Sequence, residues 1–286
     1  MSRFLKECVD FIAAQPFDII RISEIHHGGE PETIHCLEAN PCQNTYSVAK
    51  TFTMTAVGLL YDRGQISLDE KVCDILADEL PETGMDERWR GSTVEMALTH
   101  RLGLPGGFLD IDTHKSSEFT RDYLHYMLTF PLEYEPDTDS RYSDGAYYLL
   151  SRIVEKKAEM TLDNFLWKEL LYPLDFQEMA WSHCPLGHVM GATGLYITSA
   201  DMAKLGLVYL CRGMYRGRRL LSEEWAHMAP ERGYALDRHK DGTMYFKGGM
   251  HGQKLMIVPE QERVVAVQAY GANSSVIADW VSEYRG

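Results

Sequence analysis

Long apolar runs and a signal peptide are both missing from this sequence. No stretch reaches the roughly 18 apolar residues that a membrane-spanning helix needs. The N-terminal segment MSRFLKECVDFIAAQPFD alternates charged and apolar residues and lacks the apolar core of a signal peptide. We therefore expect no membrane segment, no membrane partner and a cytoplasmic location.

Basic residues are also scarce. Lysine and arginine number 28 against 42 aspartates and glutamates, which gives a formal net charge of −14. Nucleic acids and anionic membranes bind to basic surfaces, so neither is an expected partner. The acidic residues are scattered along the chain, which indicates either a well-solvated surface or one that attracts a cationic substrate.

Motifs for metal and cofactor binding are absent as well. The six cysteines include no C-x-x-C pair, which indicates free thiols in a reducing compartment. The sequence contains neither the H-E-x-x-H of zinc hydrolases nor the G-x-S-x-G of α/β-hydrolases. We expect no metal and no cofactor, while the oligomeric state stays open.

Strand patterns are present at both ends of the chain, with helical patterns between them. FDIIRISEI and ETIHCLEA near the N-terminus, and TMYFKGG, QKLMIVP and RVVAVQAY near the C-terminus, have the composition of strands. The middle of the chain has the 3.6-residue periodicity of helices. We predict an α+β fold in which both chain ends form one antiparallel sheet, flanked by helices, with an inserted and mostly helical lobe.

This pattern predicts a single domain over residues 1–286 with two lobes. The α/β lobe comprises about 1–63 plus 235–286, and the helical lobe comprises about 64–234. A cleft between two such lobes is a common location for an active site.

The stretch TYSVAKTFTM places Ser47 and Lys50 three residues apart at the start of an apolar helix. Side chains at positions i and i+3 share one helix face, so the two groups can meet. The positive end of the helix dipole helps to hold an oxyanion and lowers the pKa of a nearby lysine, which can then accept the serine proton. The alternative is an N-cap serine followed by a solvated lysine, because S-x-x-K often arises by chance.

Further motifs follow Ser47 in a fixed order. They include RGQISLDEKV, LTHRLGLPGG, RYSDGAYYLLSRIVEKK, GATGLYITSADMAKLG and KGGMHGQKLMIVPEQERVVAVQ. Together they resemble the serine β-lactamase and penicillin-binding-protein superfamily. The resemblance is greatest to its class C-like branch, which includes esterases, D-peptidases and 6-aminohexanoate-oligomer hydrolases. It extends from about Phe17 to the end and implies a β-lactamase/transpeptidase-like fold.

The second motif of that branch, Tyr-x-Asn, is matched here by Tyr142-Ser143-Asp144. The resemblance implies that Tyr142 points at Ser47 and Lys50 and relays protons, although a tyrosine packed at a helix start is the plainer alternative. Asp144 departs from the asparagine of the family. Because a carboxylate only accepts hydrogen bonds, we expect Asp144 to hold Lys50 charged and to remove one donor from the substrate site.

The third motif, Lys-x-Gly, is matched by Lys247-Gly248-Gly249. The resemblance implies a strand beside the nucleophile, with the N–H groups of Met250 and Ser47 forming an oxyanion hole. Lys247 either binds a substrate carboxylate or is a solvated strand lysine. His251 either contacts the substrate or braces the strand.

These motifs predict a serine hydrolase that forms an acyl-serine on a small ester, peptide or β-lactam-like substrate, with Ser47, Lys50 and Tyr142 as catalytic residues. The residues expected to contact substrate are Asp144, Lys247, Gly249 and His251. The alternative is a non-hydrolytic penicillin-binding or sensor protein with the same fold, for which Asp144 provides a reason.

Overall fold

The computed structural model describes the backbone of residues 1–286 and every side chain except that of Ser116. The helices are α1 (Arg3–Ala13), α2 (Ala49–Asp62), α3 (Val72–Ile75), α4 (Val94–Leu98), α5 (Tyr123–Thr129), α6 (Asp144–Ala158), α7 (Leu162–Leu166), α8 (Ser199–Leu210), α9 (Glu223–Glu231) and α10 (Ser274–Glu283). The strands are β1 (Asp18–His26), β2 (Glu32–His35), β3 (Gln43–Asn44), β4 (Ala180–Trp181), β5 (Leu195–Ile197), β6 (Met214–Tyr215), β7 (Arg218–Arg219), β8 (Asp237–Arg238), β9 (Tyr245–Gly248), β10 (Lys254–Val258) and β11 (Arg263–Gly271). The predicted α+β class is confirmed.

The chain divides into two compact units. The sheet unit comprises Met1–Val48, Leu170–Ala180 and Leu195–Gly286, and the helical unit comprises Ala49–Glu169 and Trp181–Gly194. These limits differ from the lobe boundaries that we expected near residues 63 and 235. The reason is tertiary packing, because α2 packs on α6 and α7, whereas α8 packs on β11 and β1. A single domain over the whole chain stays a prediction.

The sheet unit is built on a six-stranded sheet with the order β2-β1-β11-β10-β9-β8. Neighbouring strands are antiparallel, and β1 pairs with β11 from Asp18↔Gly271 to His26↔Arg263. Alternate side chains point to opposite faces of a sheet. Met256 therefore packs with α1 and α10 on one face, while Leu255 lies beneath α8 on the other. Both chain ends thus form one sheet, as predicted.

The helical unit has α2 and α6 at its centre. α2 is buried from Ala49 to Leu60, and α6 is buried from Asp144 to Val154. Helices that are buried on nearly every face form the interior of a unit. In the part of the chain that the structure describes, no helix has both the length and the apolar composition to cross a membrane.

Gly206 allows α8 to lie close to the sheet. A Cβ atom at this position would come within 2.5 Å of Cγ1 of Val264 and 3.0 Å of Cδ1 of Leu255. A glycine-to-alanine change inside a helix stabilises it by about 1 kcal/mol, but overpacking a core costs about 1–3 kcal/mol. We expect Gly206→Ala to lower the free energy of unfolding by about 1 kcal/mol, measured by urea denaturation.

Gly91→Ala is the matched control, because a Cβ atom at Gly91 would meet no atom within 4 Å. This variant should change the free energy of unfolding by less than about 0.5 kcal/mol. A stabilising effect of Gly206→Ala would contradict the close packing of α8 on the sheet.

Candidate active site

Ser47 is the middle residue of a 3₁₀ turn that leads directly into α2. The backbone N–H and the hydroxyl of Thr45 both donate to the carbonyl of Leu195, at 2.8 and 3.0 Å. The N–H of Tyr46 donates to Oδ1 of Asn44 at 2.9 Å, and Tyr46 has a left-handed φ of 48°. We expected the helix to begin near Ser47, and α2 begins at Ala49, directly after this turn. The anchored turn fixes the backbone on which Ser47 is presented.

Lys50 lies in the first turn of α2 and is completely buried. Its Nζ donates to Oδ1 of Asp144 at 2.7 Å and to the carbonyl oxygen of Ala192 at 3.0 Å. The same Nζ lies 4.7 Å from the centre of the Tyr142 ring. The structure thus brings together three of the predicted site residues, Lys50, Tyr142 and Asp144, within the helical unit.

The protonation state of Lys50 follows from these contacts. Burial alone would lower the pKa of Lys50, but the Asp144 carboxylate and the Tyr142 phenol outweigh burial and raise it. Lys50 is therefore an ammonium ion at neutral pH. This agrees with the expected effect of Asp144, and it replaces the expectation of a neutral lysine that accepts the serine proton.

Tyr142 and Asp144 are positioned by the start of α6. Ser143 is the N-cap of this helix, and its hydroxyl accepts from the N–H of Ala146 at 3.4 Å. The backbone N–H of Ser143 donates to Nδ1 of His100 at 3.2 Å, and the His100 ring lies 4.5 Å from the Tyr142 ring. About 44% of the Tyr142 surface is exposed. The ring therefore contacts the buried ammonium of Lys50 and is also accessible to solvent.

The third motif lies against the Ser47 turn within the sheet unit. Gly249 follows β9, and a Cβ atom on it would lie 2.3 Å from the carbonyl oxygen of Thr45 and 3.2 Å from Cβ of Tyr46. Only glycine permits this approach, which is the reason for expecting glycine in a strand beside a nucleophile. Met250 follows in a 3₁₀ turn, and its side chain is partly exposed. Its place in an oxyanion hole stays a prediction.

Lys247 and His251 have defined partners in the sheet unit. Lys247 is buried, and its Nζ lies 3.6 Å from Oδ2 of Asp237, so it is not a solvated strand lysine. The His251 ring packs edge-on against the Tyr46 ring at 5.1 Å, which favours the role of bracing the strand. Asp144 is also buried, and one of its oxygens is bound to Lys50. Substrate contact by these three residues therefore stays a prediction.

Three carboxylates gather near Lys50, and no sequence motif predicted this cluster. The side chains of Asp110, Asp112 and Asp144 each place an oxygen within 4.8 Å of the others. Asp112 accepts a hydrogen bond from the Thr193 hydroxyl. Burial, with a contribution from Asp144, raises the pKa of Asp112. Because Asp144 is bound to Lys50 and Asp112 to Thr193, the cluster fits a hydrogen-bonded network better than a metal site.

The family of the chain follows from a match that spans most of its length. Residues 39–280 match the sequence pattern of the family described as Beta-lactamase. This chain belongs to the Beta-lactamase family. The predicted resemblance to the serine β-lactamase and penicillin-binding-protein superfamily is thereby confirmed.

Curated relatives of this Beta-lactamase family chain include longer proteins. Penicillin-binding protein 4 of Amycolatopsis lactamdurans is 30% identical over 132 residues, covering 46% of this chain and 34% of the relative. The N-acetylmuramyl-L-alanine amidase of Bacillus subtilis (strain 168) is 25% identical over 254 residues, covering 70% of this chain and 57% of the relative. The chain spans about a third to just over half the length of these relatives.

Solved structures share the fold over almost the whole chain. A penicillin-binding protein from Bacillus halodurans superposes with a TM-score of 0.74 at 17% identity, covering 97% of this chain and 100% of that one. A D-stereospecific amidohydrolase from Streptomyces sp. superposes with a TM-score of 0.69 at 16% identity, covering 96% of each chain. These likenesses confirm the predicted β-lactamase/transpeptidase-like fold.

Asp144→Asn tests the charge of Lys50 in this Beta-lactamase family chain. Breaking a buried ion pair costs about 3–5 kcal/mol, and because asparagine still accepts a hydrogen bond we expect a loss of about 2–3 kcal/mol in the free energy of unfolding near pH 7. Burial would then hold the pKa of Lys50 below its unfolded value. Above this lowered pKa, the unfolded state of the variant binds more protons than the folded state does. The loss in the free energy of unfolding should therefore shrink as the pH rises toward about 10.

In the wild type, the pH dependence of the contribution of Lys50 to stability has the opposite sign. A raised pKa gives Lys50 a stabilising contribution that is complete below its unfolded pKa and is lost only as the pH rises through the folded pKa. Asp78→Asn is the control, because it breaks an exposed pair with Lys156. Its unfolding should stay close to that of the wild type at each pH, measured by urea denaturation. A deficit for Asp144→Asn that grows with pH would contradict a charged Lys50.

Proposed function

We propose that this chain is a serine hydrolase that cleaves a small amide or ester through an acyl-enzyme on Ser47. The observation that carries the proposal is the buried Lys50 ammonium beside the partly exposed Tyr142 phenol. A phenol is a group that can carry protons in acid–base catalysis. Membership of the Beta-lactamase family supports hydrolytic chemistry at the serine of S-x-x-K.

The proposed roles follow from which groups can hold a proton. Because the ammonium of Lys50 cannot accept one, Tyr142 is the general base that takes the proton from the Ser47 hydroxyl. The Ser47 oxygen bonds to the substrate carbonyl carbon while the bond to the leaving group breaks. Tyr142 returns its proton to the departing amine or alcohol. Lys50 stays charged throughout and takes up no proton.

Deacylation uses the same groups in reverse. Tyr142 takes a proton from water, the resulting hydroxide bonds to the acyl carbon, and the Ser47 oxygen leaves and regains a proton. The developing oxyanion is held by the N–H groups of Ser47 and Met250. The tight approach of Gly249 to Thr45 supports this role for Met250, because it places the chain before Met250 against the Ser47 turn.

Asp144 is proposed to act through Lys50, and its contribution to substrate binding is limited to accepting a hydrogen bond. Its side chain is buried and ion-paired, and a carboxylate offers no donor to a substrate carbonyl. We therefore favour small esters or amides that need no donor at this point over β-lactams.

The six cysteines are free, the form that a reducing compartment maintains, which supports the predicted cytoplasmic location.

A second candidate function is a penicillin-binding or sensor protein that acylates and then stalls. The strong Lys50–Asp144 pair favours it, because a lysine that cannot accept a proton leaves Tyr142 alone to activate the deacylating water. The two candidates differ in turnover. A hydrolase releases many equivalents of product per chain, whereas a stalled protein releases one.

Tyr142→Phe tests the proposed general base. We expect kcat/KM for p-nitrophenyl acetate to fall by about 10² or more, because the variant keeps the ring and loses the group that carries the proton. The release of p-nitrophenol is followed against a Ser47→Ala baseline, which measures hydrolysis that does not use the site.

Tyr172→Phe is the matched control, since Tyr172 is about 70% exposed and belongs to the sheet unit, whereas Lys50, Tyr142 and Asp144 belong to the helical unit. It should have the wild-type kcat/KM. A loss of less than threefold for Tyr142→Phe, with Ser47→Ala inactive, would remove Tyr142 from the mechanism and leave Ser47 in place.

A further inference from the structure

Two separate segments of the helical unit support the Lys50–Tyr142 pair. The carbonyl oxygen of Ala192 accepts a hydrogen bond from Nζ of Lys50 at 3.0 Å. The carbonyl oxygen of Tyr142 accepts from the backbone N–H of Gly107 at 2.9 Å. The distance of 4.7 Å between Nζ of Lys50 and the centre of the Tyr142 ring therefore depends on how these two segments are held relative to one another.

Residues 107–112, which we call the arch, are bonded to the start of α6 as well as to Tyr142. The carbonyl oxygen of Phe108 accepts from the N–H of Gly145 at 3.0 Å. A Cβ atom at Gly145 would lie 2.7 Å from Cδ1 of Phe108, so glycine lets the Phe108 ring pack directly against α6. Leu109 has a left-handed φ of 61°, which is uncommon for a residue with a side chain. The surrounding contacts therefore impose the path of the arch.

Asp112 ends the arch and joins it to the segment that binds Lys50. The hydroxyl of Thr193 donates to Oδ2 of Asp112, and Thr193 directly follows Ala192 in the chain. A turn within the arch directs the Asp112 side chain, because Oδ1 of Asp110 accepts from the backbone N–H of Asp112 at 3.0 Å. The bond between Thr193 and Asp112 thus connects the support of Lys50 with the arch.

Thr193 is a firm anchor for this bond. Its side chain is completely buried, and its carbonyl oxygen accepts from Nε1 of Trp181 at 2.9 Å. The carbonyl oxygen of the next residue, Gly194, accepts from the N–H of Ser182 at 2.9 Å. The carboxylate of Asp112 is therefore bonded to a segment that is itself fixed at several points.

We propose that Asp112 is a positioning residue for the Lys50–Tyr142 pair. Its hydrogen bond with Thr193 sets the spacing between the ammonium and the phenol, and in this role Asp112 neither contacts substrate nor exchanges a proton. The inference rests on the proposed function in one respect, because the spacing affects the rate only if Tyr142 carries the proton for Ser47. The position of the Tyr142 ring can be measured without any catalysis.

Asp112→Ala and Thr193→Val remove the bond from either side. We expect kcat for p-nitrophenyl acetate to fall about tenfold in each variant while KM changes by less than about twofold, because displacing a catalytic group slows the chemical step more than it weakens the binding of a small ester. The double variant should lose no more than either single variant, since all three lack the same bond. A wild-type kcat in either single variant, or losses that multiply in the double variant, would overturn the inference.

Asp112→Asn separates the hydrogen bond from the charge. Asparagine keeps an oxygen that accepts from the Thr193 hydroxyl, so kcat should stay within about threefold of the wild type. A kcat as low as that of Asp112→Ala would assign the effect to the charge and would overturn the inference. Thr243→Val is the matched control, because the Thr243 hydroxyl donates to Oδ1 of Asp241 at 2.8 Å in the turn between β8 and β9. It should have the wild-type kcat, and a tenfold loss there would overturn the assignment to the arch.

The ring signals of Tyr142 report its position directly. In the full chain labelled with ¹³C-tyrosine, they are assigned by NMR as the signals that are lost in Tyr142→Phe. We expect these signals to shift in Asp112→Ala and in Thr193→Val and to stay unchanged in Thr243→Val. Tyr142 signals that are the same in all three variants as in the wild type would overturn the inference.

The two proposals fail separately. Shifted Tyr142 signals in Asp112→Ala, without hydrolysis by the wild type above the Ser47→Ala baseline, would overturn the proposed function alone. Hydrolysis that requires Ser47 and Tyr142, with unchanged kcat and unchanged Tyr142 signals in Asp112→Ala and Thr193→Val, would overturn this inference alone.

Discussion

The ion pair between Lys50 and Asp144 joins the first turns of α2 and α6, the two central helices of the helical unit. Removing a charge from water costs on the order of several kcal/mol, and this pair contains two charges. Only a close contact and further hydrogen bonds compensate for that cost. The 2.7 Å contact and the carbonyl of Ala192 supply these. The positive end of α6 favours Asp144, whereas the positive end of α2 opposes Lys50. The charged form of Lys50 is therefore stabilised by the carboxylate of Asp144.

This dependence determines the chemistry that is open to the site. A lysine held as an ammonium ion cannot remove a proton, so in the proposed mechanism the neighbouring Tyr142 carries it. Asparagine at position 144 would hold the lysine less firmly and would offer a donor to the substrate. Under the proposed function, Asp144 thus offers no hydrogen-bond donor to the substrate and instead keeps Lys50 charged. Asp112, with its raised pKa, adds a second carboxyl group close to this charge.

Much of this arrangement could be predicted from the sequence, because its signals are local. The spacing of Ser47 and Lys50, the Tyr-x-Asp before a helix and the alternating strands near the termini all depend on short stretches of chain. The carbonyl of Ala192 could not be predicted, because every residue type offers the same backbone oxygen. The left-handed Tyr46 was equally hidden, since tyrosine gives no sign of that geometry. The limits of the two units depend on where α2 and α8 pack, which is a tertiary property.

The central claim is that Ser47 forms a covalent acyl-enzyme. The most direct measurement is intact-protein mass spectrometry after rapid acid quenching of a reaction with p-nitrophenyl acetate, followed by peptide mapping. The account predicts a transient increase in mass by one acetyl group, located on the peptide that contains Ser47 and absent from Ser47→Ala. An acetyl group found elsewhere, or found equally in Ser47→Ala, while p-nitrophenol is still released catalytically, would contradict it.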